Sequence, residues 1–390
     1  MRRIAGTMGS SHLRQPSELQ RSNVMHRIYP LILLILLLVP NALNSQQPTL
    51  NPFLTEHTVQ NPPEQNEQNE QNEQNEQNEQ NEQNEQNEQN EQDESDETGF
   101  ANPMNLLNKT AGGTQWWTDH LWDHGYRIQQ NTLTKHWRLL DPDDVRLTWG
   151  TRAECDTCLT EQAVSKTETR RVTLLLHGLM RTHHSMKSLE HDLLQQSDTE
   201  IIRFAYASTR ESIGEHAAAL REVVEGLPNE TRINFVGHSM GNIVVRHLIG
   251  DLQRDGDPKG ILPRCEAMVM LGPPNNGAAI ARRLSTNSLY GWVTGKGGLE
   301  LGPEWETFEK KLGTPPFPFA IIAGDVSDNS VQNPLVDGAS DFVVSIEEAS
   351  LEGSKAFHTV PVLHSFLMNN ADARKFAVDF LTSHQSDQAK

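Results

Sequence analysis

From Arg171 onward, short apolar runs alternate with amphipathic stretches. The runs are Val172 to Leu176, Ile201 to Tyr206, Ile233 to Val236, Ala267 to Leu271, Phe319 to Ala323 and Phe357 to Val362. Between them lie segments with helical spacing: Ser212 to Leu227 sets Ile213, Ala217, Leu220 and Val224 on one face, and Asn242 to Leu252 does the same with Val244, Val245, Leu248 and Leu252. An apolar run without alternation predicts a strand covered on both sides, and the intervening helices supply the cover. The pattern therefore predicts an α/β domain with a mostly parallel central sheet and helices on both faces. Active sites in such domains lie beyond the carboxyl ends of the strands, so the turns after these runs are where chemistry is expected.

Upstream the pattern changes. Phe100 to Glu161 is aromatic and mixed, with Trp116, Trp117, Trp122, Trp137 and Trp149, and Tyr126 to Leu140 predicts a hairpin. Residues 100–165 read as an N-terminal extension of a domain spanning 166–390. A CxxC at Cys155 and Cys158, outside a βαβ unit and without a second pair, points to a surface disulfide rather than to redox or zinc chemistry; Cys265, heading an apolar run, is expected to be buried. From Glu64 the triplet Glu-Gln-Asn repeats nine times with no aromatic or aliphatic residue. Such a sequence cannot bury enough surface to offset its ordering entropy, so residues 46–99 read as a disordered, solvated acidic spacer. Leu31 to Val39, fenced by Pro30 and Pro40 and preceded by arginines, is shorter than the roughly 20 residues that span a bilayer but suits a signal-peptide core. Residues 1–45 are expected to direct export. Left uncleaved, they would anchor the chain near a membrane, and a start at Met25 would give a leader of ordinary length.

The net charge of -19 is concentrated: Glu64 to Glu97 carries twelve Glu, two Asp and no Lys or Arg. The remainder has no basic field to draw phosphate backbones, and no nucleic-acid partner is expected. Three cysteines exclude a disulfide scaffold and fall short of the four ligands of a structural zinc site, so metal chemistry is not expected.

Gly237-His238-Ser239-Met240-Gly241 follows the run Ile233 to Val236 and opens a helical segment near Asn242. A serine in a strand-turn-helix of this kind sits on a strained backbone with its hydroxyl clear of the sheet, and the flanking glycines remove side chains that would strike the adjoining strand and helix. On these residues the chain resembles an α/β-hydrolase of the lipase and esterase type over roughly Arg171 to Ser383. His177-Gly178-Leu179-Met180, directly after Val172 to Leu176, resembles the family's oxyanion turn. The resemblance implies that the backbone N–H groups of Leu179 and Met240 hold the oxyanion, while His177 orients the turn without a catalytic role.

A serine needs a base to take its proton and a carboxylate to orient that base. The family order is Ser, acid, His, which points to His364 after the last apolar run, with His358 as the rival inside that run. His183, His184 and His191 come too early and are expected on the surface. Asp325, Asp328, Asp337 and Asp341 all follow Phe319 to Ala323. Asp341 resembles the family's acid, with Phe342 in place of the usual glycine, and Asp325 is the alternative. Arg246 and Leu271 to Gly277 resemble segments that shape the site, Asn242 stands where many relatives have glycine, and Leu284 to Pro318 occupies the place of a small cap or lid. The reading is an exported serine hydrolase cleaving carboxylic esters, needing no cofactor, with a lipid or other small ester as substrate. An acyltransferase or amidase on the same triad and a catalytically silent binding domain of the same fold are the alternatives.

Overall fold

The structure, a computed structural model, describes residues 110, 112–162, 171–196, 199–285, 288–327 and 333–385. The expected export segment and acidic repeat lie outside the described residues, as do Asp328 and the side chains of Leu289, Tyr290, Trp292 and Val293. No helix among the described residues is long and apolar enough to cross a membrane.

The aromatic N-terminal stretch forms a four-stranded antiparallel sheet in chain order: β1 (Trp117–Asp123), β2 (Tyr126–Asn131), β3 (Trp137–Leu140) and β4 (Arg146–Gly150). The expected hairpin is the β2–β3 pair, with Arg127 opposite Leu140 and Gln130 opposite Trp137. Helix α1 (Arg152–Glu161) follows, its start fixed by reciprocal capping between Thr151 and Glu154. The expected Cys155–Cys158 disulfide is absent, and both thiols are free. Cys155 faces inward from α1 and is fully buried with Ile128 and Leu139, while Cys158 packs at the edge of that cluster, so the pair serves as apolar filling.

All six apolar runs are strands of one parallel sheet. In chain order the elements are β5 (Arg171–Leu176), α2 (Lys187–Gln196), β6 (Glu200–Phe204), α3 (Ile213–Gly226), β7 (Arg232–His238), α4 (Met240–Asp255), β8 (Cys265–Leu271), α5 (Ala279–Leu284), α6 (Ser288–Leu301), α7 (Trp305–Phe308), β9 (Phe319–Gly324), α8 (Ile346–Ala349), β10 (Ala356–Val360) and α9 (Ala371–Ser383). The sheet order is β10-β9-β8-β7-β5-β6, with every pairing parallel. Alternate strand residues feed two cores. Leu174, Phe235 and Met268 face a layer with Leu220 and Val223 of α3 and Ile243 and Leu248 of α4, whereas Leu175, Val236 and Val269 face Leu189 and Leu193 of α2 and Ala377 and Leu381 of α9. Helices on both faces explain why these strands carry no polar alternation.

The chain runs from β5 outward to the edge strand β6 and then returns to pair β7 on the other side of β5. That reversal leaves a crevice beyond the carboxyl ends of β5 and β7, between connections leaving in opposite directions. Residues 177–181 follow β5 and Ser239 follows β7, so the two sequence motifs meet there. The insertion between β8 and β9 holds α5, α6 and α7. Its Trp305 and Phe308 are buried in the main core, and α6 comes so close that a Cβ on Gly297 would stand 2.9 Å from Met240 Sδ.

Candidate active site

Ser239 joins β7 to α4 at φ 53° and ψ −123°, a backbone region costly for any residue with a side chain. Local bonds hold it there. Its N–H donates to the Leu271 carbonyl (2.8 Å), and its own carbonyl accepts from the N–H and the side-chain Nδ2 of Asn242, both at 3.1 Å. Asn242 Nδ2 also reaches the Leu271 carbonyl (3.2 Å), so the asparagine found in place of a glycine clamps the elbow to β8. The glycines are dictated by contact: a Cβ on Gly241 would fall 2.7 Å from the carbonyl oxygens of both Leu176 and His177.

The structure brings Ser239, His364 and Asp341 into one hydrogen-bonded chain. Ser239 Oγ lies 2.9 Å from His364 Nε2, and His364 Nδ1 lies 2.7 Å from Asp341 Oδ2. A carboxylate can only accept, so Nδ1 carries the hydrogen and Nε2 is left to accept from the serine hydroxyl. Asp341 Oδ1 accepts from the N–H groups of Val343 (3.0 Å) and Val344 (2.7 Å), which fixes the carboxylate in a fully buried position. Forming that turn needs φ 82° at Phe342, the reason glycine suits the position, and Asn333 Nδ2 holds the Phe342 carbonyl at 2.6 Å. The rivals stand elsewhere. His358 lies in β10 with its ring stacked on Phe376, centroids 4.8 Å apart. The Asp325 carboxylate turns back on Ser327, whose hydrogen bonds hold it below its ordinary range, and Asp337 pairs with Arg283 at the surface.

Leu179, buried, follows Gly178 in the turn after β5, and Met180 next to it adopts φ 60°. A Cβ on Gly178 would lie 3.2 Å from the Ser239 Cβ, so turn and elbow are in van der Waals contact. Met240 is the first residue of α4, where an N–H has no acceptor inside the helix and the helix dipole favours negative charge. His177 is buried against Tyr206, ring centroids 4.1 Å apart, and its Nδ1 donates to the Gly178 carbonyl at 2.9 Å. Burial pushes its ionisation down to about 4, so it supports the turn as a neutral ring.

Three contacts escape sequence reasoning. His238, its ionisation pushed well down by burial, donates from Nε2 to the His364 carbonyl at 3.0 Å. Arg181 Nη2 donates to the Ser365 carbonyl (3.0 Å), and Gln115 Nε2 donates to the Arg181 carbonyl (2.6 Å). The expectation that His183 lies at the surface is overturned: it is buried, tilted against His184 with ring centroids 4.0 Å apart. Arg246, also buried, ties the loop after β8 to the end of the insertion by donating to Asn275 and Gly313. That loop touches the site, since a Cβ on Gly272 would stand 3.0 Å from His364 Cε1 and Nδ1.

Strand order, elbow and two-faced helical cover give this chain the α/β-hydrolase fold. Residues 136–313 match a family described as a domain of unknown function, DUF7379, a span that includes Ser239 and ends before Asp341 and His364. No curated protein matches the chain. Among solved structures, it is similar to the lin2722 gene product of Listeria innocua, with 18% identity and a TM-score of 0.40 over 56% of this chain and 96% of that one. It is also similar to the mature form of lipase BlEst2 of Bacillus licheniformis, with 15% identity and a TM-score of 0.41 over 57% and 95% of the two chains. The metagenomic carboxyl esterase MGS0156 shares 16% identity, with a TM-score of 0.38 over 51% of this chain and 65% of its own.

Proposed function

We propose that this protein is a serine hydrolase that cleaves carboxylic esters through an acyl-enzyme. The observation that supports this reading is the Ser239–His364–Asp341 chain, set at the sheet's reversal point with the serine on a strained elbow. Ser239 Oγ attacks the ester carbonyl while its proton passes to His364 Nε2. The imidazolium so formed is stabilised and held in register by Asp341 through Nδ1–H. Charge collecting on the carbonyl oxygen is met by the N–H groups of Leu179 and Met240, preorganised donors where no solvent need rearrange. His364 then gives its proton to the departing alkoxide, leaving the acyl group on Ser239. Water, deprotonated by the same imidazole, attacks the acyl-enzyme carbonyl, the bond to Ser239 Oγ breaks to release the acid, and His364 returns the proton to Oγ.

The sequence of the insertion between β8 and β9 is rich in apolar residues, which suits a substrate with an acyl chain, a lipid or other small ester. The short apolar run ahead of the repeat supports an exported protein. Hydrolysis of p-nitrophenyl esters from acetate to palmitate, beside Ser239→Ala, tests the reading. Turnover that vanishes in the variant supports it. No turnover on any ester, with Ser239 unlabelled by a fluorophosphonate, leaves the silent binding domain.

A further inference from the structure

The turn that carries Leu179 is not held by the parallel sheet and its connections alone. Gln115, on the segment leading into β1, places its side-chain amide between two loops at the carboxyl end of the parallel sheet. Its Nε2 donates to the Arg181 carbonyl at 2.6 Å. Its Oε1 accepts from Ser208 Oγ at 3.1 Å and from Thr209 N–H and Oγ1, each at 3.0 Å. Ser208 Oγ in turn accepts from the N–H of Met180 at 3.1 Å. Thus both residues following Leu179 are tied to one glutamine, Met180 through Ser208 and Arg181 directly. Met180 needs that restraint because it sits at φ 60°, where a non-glycine residue stays only if its surroundings hold it. Arg181 carries the restraint onward through its Nη2 to the carbonyl of Ser365, next to His364.

We infer that Gln115 is a positioning residue for the oxyanion turn, so that the segment leading into the N-terminal antiparallel sheet supports the catalytic apparatus of the parallel one. This rests on the serine-hydrolase reading. Gln115 touches no reacting atom; it fixes where the Leu179 N–H points, and a donor aimed wrongly is strong in neither the ground state nor the transition state.

The test uses the full chain carrying Gln115→Met, which keeps the side chain's length and volume while removing all four hydrogen bonds. The expected result is a fall in kcat on the order of 10- to 100-fold with KM little changed. Affinity for a trifluoromethyl ketone, whose tetrahedral adduct places an oxyanion in the same spot, should fall by a similar factor. A merely structural role would lower thermal stability without linking those two losses. Unchanged kcat in Gln115→Met beside an active parent overturns the inference alone, as does a rate loss without weaker ketone binding. A parent with no ester turnover and no fluorophosphonate labelling overturns the underlying reading and this inference together.

Discussion

His238 Nε2 lies 3.0 Å from the carbonyl oxygen of His364, so the residue before the serine grips the backbone of the residue that faces it. His364 is fixed at two further points by Asp341, whose carbonyl accepts its N–H at 2.9 Å and whose carboxylate accepts Nδ1–H. The imidazole therefore has its height, its rotation and its tautomer set by separate bonds before any substrate arrives.

Asp341→Asn should remove the tautomer control while leaving the turn in place, and kcat should drop by roughly 10⁴ with ester substrates. Asp325→Asn, whose carboxylate serves Ser327, should keep turnover within about twofold. Steady-state kinetics on the two variants side by side decide between the carboxylates, because a reversed pattern makes Asp325 the acid.

Gly241→Ala forces a methyl group onto the Leu176 and His177 carbonyl oxygens and should cost about 1–3 kcal/mol while displacing Ser239. Gly226→Ala, at the end of α3 with open space around the added carbon, should be neutral or stabilising by roughly 0.5 kcal/mol. Urea unfolding midpoints of both variants check the contrast, and equal midpoints would contradict the close approach at the elbow.

Burial lowers the ionisation of His177 to about 4 and of His216 to about 3, from an ordinary value of 6.5. Because the folded values are depressed, the unfolded chain binds more protons once the pH drops below 6.5, so stability is full above that point and is lost as pH falls toward 4. At pH 5 each ring accounts for at most on the order of 2 kcal/mol. His216→Leu should flatten the dependence, read as the shift in urea midpoint between pH 7.5 and pH 5. A slope unchanged in that variant would mean other groups set it.

All three thiols should be alkylated when unreduced protein is denatured, because Cys155, Cys158 and Cys265 are free. In the native state Cys158 should react first: Cys155 is fully buried, with burial pushing its thiol up to about 12, and Cys265 is nearly enclosed as well. Intact mass after alkylation reads the count, and a single modified thiol would show a disulfide after all.

The six strands can be read from the chain because each is covered on both faces and so cannot alternate. The meeting of Ser239 and His364 can be read because chemistry restricts their residue types and the fold restricts their order, whereas order alone leaves four aspartates between β9 and His364 and only the resemblance of its segment singles out Asp341. Gln115, Arg181 and His238 lack such a signal. Their partners lie 66, 184 and 126 positions away, and each bonds a backbone carbonyl, which any residue possesses. The CxxC misleads for a related reason. Spacing suggests pairing, but whether a thiol faces its neighbour or a core depends on which side of α1 meets the antiparallel sheet.

The two sheets are separate in topology, and a chain begun at β5 would keep every strand of the parallel sheet, the elbow and all three linked side chains. It would lack Gln115. An inventory of sites compiled from such a fragment would look complete, yet the fragment would have lost a hand that aims one of its donors. On that inference, exchanging the N-terminal segment between relatives amounts to re-aiming the Leu179 N–H without altering a residue of the parallel sheet.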